Sequence, residues 1–212
     1  MSSQVKDKYL INNTDFRRIA TDKEISISPS DYGLIPKSLD TAHLKGFWCD
    51  FELTDEGIYL ENLYIHTENE LYPAINGINI SPPEYETVYR FDIINGRMSD
   101  KQYPVQVDKL LGYKVYEHLH IPVDYSGNML LGKNFYYNIY FDDVHYFFKY
   151  KKVLDFQITR GKIIKRNDIS SLSKAFNEQV KLLKREYDCF EDFSLIINKI
   201  LPKEQIDNIW WI

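Results

Sequence analysis

Cysteine is scarce in this chain: Cys49 and Cys189 are the only two among 212 residues. This argues against a disulfide framework and against a zinc site built from four cysteines, so we expect two buried free thiols. Long apolar runs are missing as well, since residues 135–141 and 195–201 are far shorter than the roughly 18 residues of a membrane-spanning helix. We therefore expect no membrane span. Residues 1–8 are polar and charged, unlike a secretory signal, which predicts a cytoplasmic protein.

The chain also lacks the marks of nucleic-acid-binding proteins and of common enzyme classes. Its net charge of −5 opposes a phosphate backbone, and no basic block offsets it. No G-x-S-x-G elbow, H-E-x-x-H helix or Rossmann glycine fingerprint occurs. Residues 127–133 satisfy G-x-x-x-x-G-K, but Asn134 replaces the Ser or Thr that should hold magnesium, and a strand-like stretch follows. We predict no cofactor and no metal site, assign no catalytic residue, and disfavour an enzyme without excluding one.

Aromatic and β-branched residues are abundant and are arranged for a sheet. Hydrophobic residues make up 44% of the chain and aromatic residues 15%, with 17 Tyr, which suits strands that pack on one side and meet water on the other. At Asp168 the apolar spacing changes from the period of a strand to that of a helix. We predict a single domain over residues 1–212, with a β-rich body over about 9–167 and a helical segment over about 168–212.

Three segments have the pattern of β-hairpins. In the first, residues 54–57 form the turn, and the apolar phase slips near Glu61-Asn62, as a bulge would produce. Its apolar face comprises Phe47, Cys49, Phe51, Leu53, Ile58, Leu60, Leu63 and Ile65. Residues 91–96 and 156–161 repeat the form, an apolar pair that leads into a Gly turn. Between hairpins, residues 71–86 contain Ser81-Pro82-Pro83 and are expected to be exposed.

A fourth hairpin is predicted over residues 115–131. One strand alternates as far as Val123, residues 124–127 turn, and residues 129–131 return. Tyr116, His118 and His120 would then project from one face of the strand. Two such histidines could ligate a metal or act as an acid/base pair, but a catalytic zinc needs a third protein ligand and none can be assigned. We favour the simpler interpretation, two solvent-facing histidines beside Tyr116.

Helical spacing governs the last part of the sequence. After Asp168, a plausible N-cap, apolar residues at positions 172, 176, 180, 183 and 187 predict an amphipathic helix. A second helix is predicted over about 191–201, stopped by Pro202, and the apolar end at residues 209–212 is expected to dock on the sheet. The fold class is therefore α+β: antiparallel hairpins in a curved sheet or partly open barrel, with two C-terminal helices packed on it.

Two blocks of sequence resemble a family of small uncharacterised bacterial proteins whose hallmark is a Thr-Ala-Cys-Trp-Arg-Gly-Tyr stretch followed by a hairpin. The first block comprises residues 30–36, Thr41-Ala42, Gly46, 51–53 and 60–65, and the second comprises 121–123, 125–127, 130–132, Phe135, Phe156, 161–164 and 168–170. Residues 43–47 depart from the hallmark, because His-Leu-Lys-Gly-Phe stands in place of Cys-Trp-Arg-Gly-Tyr. The family has no settled activity, so the resemblance implies a bacterial origin and a shared fold.

Candidate binding residues lie on the first hairpin and on the predicted fourth. Lys45 and Trp48 point outward on the first hairpin, and an exposed Trp beside a cation suits a contact surface. A Trp covered by the C-terminal helices is the equally weighted alternative. The second group is Tyr116, His118 and His120.

The functional interpretation that we favour is a non-enzymatic protein-binding module, comparable to a bacterial toxin-immunity protein. Small size, acidic charge, candidate aromatic surface residues and missing catalytic motifs support it. A small-molecule carrier, with Tyr-rich strands around a barrel mouth, is the first alternative. A metal-dependent hydrolase that uses His118 and His120 with an unidentified carboxylate is the second. We make no prediction of the oligomeric state.

Overall fold

The computed structural model describes residues 7–41, 43–82, 84–94, 97–107, 112–136 and 146–186. Within these ranges the chain forms strands, one α-helix and two short 3-10 helices, Pro29–Tyr32 and Phe147–Lys149. The strands and the α-helix are β1 Lys8–Ile11, β2 Thr14–Thr21, β3 Phe47–Leu53, β4 Ile58–Ile65, β5 Glu84–Ile94, β6 Arg97–Val107, β7 Lys114–Tyr116, β8 Ile121–Pro122, β9 Gly127–Phe135, β10 Tyr150–Thr159, β11 Lys162–Asp168 and α1 Ser170–Glu186.

Nine of the described strands form one open, mixed sheet. Its order is β11-β10-β9-β2-β1-β3-β4-β7, and β8 pairs with β4 beside this path; β5 and β6 form a separate pair. The pairs β1–β2, β2–β9, β9–β10, β10–β11 and β4–β7 are antiparallel, whereas β1 and β3 run parallel. The α+β class and a mainly antiparallel sheet are thus confirmed, while the expectation of a purely antiparallel sheet is wrong because of β1 and β3.

The chain divides into two compact units, named here after one residue of each. The Trp48 unit contains Ser28–Trp48 and Asn62–Leu119, and the His120 unit contains Lys6–Ile27, Cys49–Glu61 and the chain from His120 onward. Strands β3 and β4 each contribute residues to both units. The single domain stays a prediction.

The three predicted hairpins are confirmed as strand pairs, although Asn95 and Gly96 of the second turn lie outside the described residues. In β3 and β4, the residues Cys49, Phe51, Leu53, Ile58, Leu60, Leu63 and Ile65 are buried, so the predicted slip of phase in β4 is present. In β5 and β6, Ile94 pairs with Arg97. Between β10 and β11, Arg160 and Gly161 both have positive φ, 49° and 75°, which is the pattern of a type I′ turn. Cys49 is buried, as predicted, and Cys189 lies outside the described residues.

Two hairpin turns meet at glycines within the His120 unit. Ile58 N donates to Gly161 O at 2.9 Å, and Gly161 N donates to Tyr125 O at 2.8 Å. A Cβ on Gly57 would lie 2.6 Å from Gly161 O, and one on Gly161 would lie 2.5 Å from Val123 O. The hydrogen bonds hold the backbones so close that no side chain fits at either glycine.

The predicted strand over residues 115–123 is wrong, and so is the fourth hairpin. The chain forms two short strands, β7 and β8, and His118 and His120 between them have left-handed backbone with φ of 58° and 43°. β8 pairs with β4, whereas β9 pairs with β2 and β10. Left-handed residues reset the direction of successive side chains, so alternation in the sequence does not produce a continuous strand here.

Helix α1 packs against the rest of the His120 unit through an apolar face, as its spacing predicts. Phe176 and Val180 are buried in a cluster with Leu130, Phe147, Phe148, Tyr150 and Val153. Asn177 is also buried, and its Nδ2 donates to Phe148 O at 2.9 Å, so α1 satisfies a carbonyl of the 3-10 helix beside β10. The second predicted helix and residues 209–212 lie outside the described residues. Over the stretches that the structure covers, no helix combines the length and apolarity needed to cross a bilayer.

The start of α1 corrects one detail of the prediction. The helix begins at Ser170, and Ile169 O accepts the hydrogen bond of Ser173 N at 3.0 Å. Asp168 precedes it, and its Oδ1 accepts from Ser170 N at 3.0 Å. Ile169 is therefore at the N-cap position, and the Asp168 carboxylate accepts a hydrogen bond from the first turn of the helix from the residue before the N-cap.

Candidate functional site

The five residues predicted for binding do not belong to one unit. Lys45, Trp48, Tyr116 and His118 lie in the Trp48 unit, and His120 lies in the other. Their surroundings differ, and two groups of side chains result: an aromatic cluster around Trp48, and a group of two carboxylates with His120.

The aromatic cluster comprises His43, Trp48, Tyr64 and Tyr113. The Trp48 ring stacks on Tyr64 with centroids 4.9 Å apart and planes 4° apart. It also contacts His43 at 4.6 Å and the edge of Tyr113 at 4.9 Å. Trp48 is half-buried, and these three rings partly cover it, whereas the two predicted alternatives were an exposed Trp and a Trp covered by the C-terminal helices.

Hydrogen bonds fix the rings around Trp48. Asp40 Oδ1 lies 2.8 Å from His43 Nδ1, so the carboxylate orients the imidazole. The hydroxyl of Tyr113 accepts from Leu39 N at 3.2 Å, and burial raises the pKa of this phenol. The cluster is therefore held from two sides by the loop that precedes β3.

Lys45 lies on a tight turn at the edge of this cluster. Gly46 N donates to His43 O at 2.8 Å, and Gly46 has a φ of 72° that favours glycine. A Cβ on Gly46 would lie 2.7 Å from the Lys37 backbone. This packing exposes Lys45 and its neighbour Leu44 to solvent, the latter by 67%.

Tyr116 departs from its predicted role, whereas His118 is exposed as predicted. Tyr116 is fully buried, its hydroxyl donates to Pro73 O at 2.8 Å, and burial raises its pKa to about 12. It is a core residue and not part of a contact surface. His118 is exposed, as expected, and its backbone N donates to Asn62 Oδ1 at 3.2 Å.

His120 lies beside two carboxylates that the sequence did not connect with it. Its Nδ1 is 3.8 Å from Glu52 Oε2 and 3.8 Å from Glu61 Oε2. One ligand atom from each of the three residues lies within 4.8 Å of the other two. We call Glu52, Glu61 and His120 the carboxylate–histidine group. An imidazole nitrogen and two carboxylates form a donor set that can hold a divalent cation.

Strand pairing assembles this group within the His120 unit. Glu52 lies on β3 between the buried residues Phe51 and Leu53, so it points away from the core. Ile121 of β8 pairs with Leu60 of β4, which puts His120 and Glu61 next to each other across the pair. Alternation in the sequence indicates that Glu52 is outward, but the pairing of β8 with β4 has no local signal.

A groove lined by both charged and aromatic residues lies elsewhere in the His120 unit. It has a volume of about 780 Å³ and is lined by residues of β2, β9 and β10, including Asp15, Arg17, Lys133, Phe135 and Tyr150. The β9 residues in this lining overlap residues 127–133, which match G-x-x-x-x-G-K. These residues form a strand and not a phosphate-binding loop, as the sequence predicts.

Comparisons with protein-family models, curated proteins and solved structures found no match. The resemblance to the bacterial hairpin-motif family therefore stays a prediction.

Proposed function

We propose that this protein is a non-enzymatic binding protein that contacts a protein partner through the loops around Trp48, in the manner of a toxin-immunity protein. One observation carries the proposal. Among the described residues, six large hydrophobic side chains are strongly exposed, and four of them belong to the Trp48 unit. These four are Ile35, Leu39, Leu44 and Leu71, with exposures of 44–67%. Exposed apolar side chains that are concentrated on one unit are typical of a contact surface.

Backbone hydrogen bonds connect the loops that carry these side chains. Glu68 N donates to Ile35 O at 2.9 Å, and Lys37 N donates to His66 O at 2.8 Å. Thr67 Oγ1 donates to Leu71 O at 3.2 Å. The loops over residues 35–46 and 66–72 are thus tied together, and we call them the loop surface. A surface that is already ordered loses little conformational entropy when a partner binds.

Lys45 adds charge to the loop surface beside Leu44. A cation next to an apolar side chain fits a partner that offers an acidic group near an apolar pocket. The overall charge of −5 would favour a basic partner at long range. The proposal keeps a cytoplasmic location and no nucleic-acid ligand.

The proposal is tested with a double variant, Leu44→Asp with Lys45→Glu, and a matched control, Ile164→Asp. Ile164 is 62% exposed on β11 of the other unit, so its change also adds a charge at an exposed apolar position. We expect the product of a neighbouring gene to co-purify with the wild type and with Ile164→Asp, and to lose at least about tenfold in affinity with the double variant. Equal binding by all three proteins, or no co-purification with the wild type, would contradict the proposal.

A metal-dependent hydrolase is a second candidate, favoured by the carboxylate–histidine group. Here Glu52 and Glu61 supply the carboxylates that the sequence left unidentified, and His120 is the only histidine of the predicted pair that lies with them. Turnover of a phosphate or carboxylate ester that requires added metal and disappears with Glu61→Gln would support it. Metal-independent turnover would contradict it.

The small-molecule carrier stays a prediction with less support. A carrier of apolar ligands needs an apolar cavity inside a curved sheet or partly open barrel. The groove of about 780 Å³ beside β2 and β9 is large enough for a ligand, but Asp15, Arg17 and Lys133 place charged groups in its lining beside Phe135 and Tyr150. Binding of an apolar fluorescent dye by the folded protein would support the carrier hypothesis.

A further inference from the structure

We infer that Glu52, Glu61 and His120 bind one divalent metal ion of the borderline class, with Zn²⁺ as the representative. This site is independent of the proposed protein-binding surface, since all three residues belong to the His120 unit. It also differs from the predicted histidine pair, because His118 is not part of the group.

The separations between the ligand atoms fit a site that closes on a metal. Zinc bonds to His nitrogen and carboxylate oxygen are about 2.0–2.2 Å long, so ligand atoms around one ion lie about 3.0–3.5 Å apart. In the structure, Nδ1 of His120 is 3.8 Å from an oxygen of each glutamate, and no separation in the group exceeds 4.8 Å. Side-chain rotation alone can close these gaps, because carboxylates on flexible Glu stems adjust by an ångström or more.

The three side chains start from well-fixed positions. Glu52 and Glu61 project from adjacent strands of the sheet, and β8 holds the backbone next to His120 against β4. The His120 ring stacks on Tyr59 with centroids 4.1 Å apart and planes 7° apart. Stacking restricts rotation of the imidazole, so less entropy is lost when its Nδ1 binds a cation.

Partial burial gives the site both strength and access. The Glu61 side chain is 15% exposed and that of Glu52 is 26% exposed, while His120 is 57% exposed. Two carboxylates held this close repel each other, and a divalent cation between them removes the repulsion. The exposed imidazole leaves a path by which the ion enters.

The donor set selects the class of metal. Imidazole suits Zn²⁺, Fe²⁺, Ni²⁺ and Cu²⁺, whereas carboxylates alone suit Mg²⁺ and Ca²⁺. A set of one imidazole and two carboxylates therefore favours the borderline ions over Mg²⁺. Three protein ligands also leave at least one position for water, as in catalytic zinc sites.

The test is a calorimetric titration of the full chain with Zn²⁺, repeated with Mg²⁺. We expect one Zn²⁺ per chain and at least tenfold weaker binding of Mg²⁺. His120→Ala and Glu61→Gln should each weaken Zn²⁺ binding at least tenfold. His118→Ala is the matched control, because it removes an exposed histidine only two residues away and should leave the affinity within twofold.

Three results would overturn the inference. The first is no stoichiometric Zn²⁺ binding by the wild type, and the second is a Zn²⁺ affinity of His120→Ala and Glu61→Gln equal to that of the wild type. The third is a loss of Zn²⁺ affinity in His118→Ala as large as in those two variants. Circular dichroism shows whether each variant folds. Should His120→Ala fail to fold, Glu52→Gln and Glu61→Gln carry the test, since an amide keeps the shape of the carboxylate and removes only its charge. Replacement by Co²⁺ gives a second readout, a visible absorption band that the wild type and His118→Ala develop and the Glu variants lose.

Discussion

The contact between the two hairpin turns offers a stability test in which strain and steric overlap can be separated. Gly161 combines a φ of 75° with a would-be Cβ contact of 2.5 Å to Val123 O. Gly57 has a similar contact, 2.6 Å to Gly161 O, without a positive φ. Gly77 has a φ of 82° and nothing within 4 Å of its would-be Cβ. Alanine at position 161 therefore adds both backbone strain and steric overlap. Alanine at position 57 adds steric overlap alone, and alanine at position 77 adds backbone strain alone.

The expected costs follow from these geometries. An Ala in the left-handed region costs about 1–2 kcal/mol relative to Gly. A methyl group forced against backbone costs about 1–3 kcal/mol, because the neighbouring chain has to shift. We expect Gly77→Ala to lower the free energy of unfolding by about 1 kcal/mol, Gly57→Ala by about 2 kcal/mol, and Gly161→Ala by about 3 kcal/mol.

Urea denaturation followed by circular dichroism measures the three losses, and an unchanged slope shows that the change lies in stability alone. The order Gly161, Gly57, Gly77 is the diagnostic result. If Gly161→Ala costs no more than Gly77→Ala, Gly161 does not lie against Val123 O as described, and if Gly57→Ala costs nothing, the two turns are not in close contact.

Three further predictions concern α1, its first turn and the aromatic cluster. Asn177→Ala removes the donor to the buried Phe148 O and should lower the free energy of unfolding by about 1–3 kcal/mol in urea denaturation; no loss would contradict the buried bond. Hydrogen bonds from Lys152 and Ser170 lower the pKa of Asp168 to about 2 from 3.8, so its stabilising effect is complete above about pH 4 and disappears as the pH falls toward 2. Because Asp168 and Lys152 are both partly exposed, we expect Asp168→Asn to lose at most about 1 kcal/mol at pH 7 and only a small remainder of this at pH 2. A constant difference across this range would count against the ion pair. Trp48→Leu should cost about 1–3 kcal/mol, of which about 0.5–1.5 kcal/mol is the stack on Tyr64, and a double-mutant cycle with Tyr64→Leu measures that share.

Local pattern explains why much of the fold could be predicted from sequence. Alternation around Phe51 and Phe156 identifies strands with a buried apolar face, although Asp50 on the other face of β3 is buried as well, and the Gly turns that follow close the strands into hairpins. The 3.6-residue spacing of Phe176 and Val180 likewise identifies α1 and its buried face. These features depend on neighbours within a few residues, which the sequence displays directly.

Pairing between distant segments could not be predicted. In the parallel pair of β1 and β3, Tyr9 lies opposite Phe51, and no pattern in either segment indicates that the two strands pair. The strand predicted through His118 failed for a different reason, since left-handed backbone at a non-glycine residue has no reliable signal in the sequence. The carboxylate–histidine group needs both the β4–β8 pairing and this irregular backbone, so its members appeared unrelated until the structure placed them together.

The structure brings one ligand atom each of Glu52 on β3, Glu61 on β4 and His120 next to β8 within 4.8 Å of one another, and we propose that they bind one metal ion. The most direct test is an anomalous difference map, recorded at the zinc absorption edge from crystals grown with Zn²⁺. We predict a peak about 2.0–2.2 Å from His120 Nδ1 and from one carboxylate oxygen of each glutamate. Well-ordered side chains at this position with no anomalous peak between them, or a peak only elsewhere, would contradict the claim.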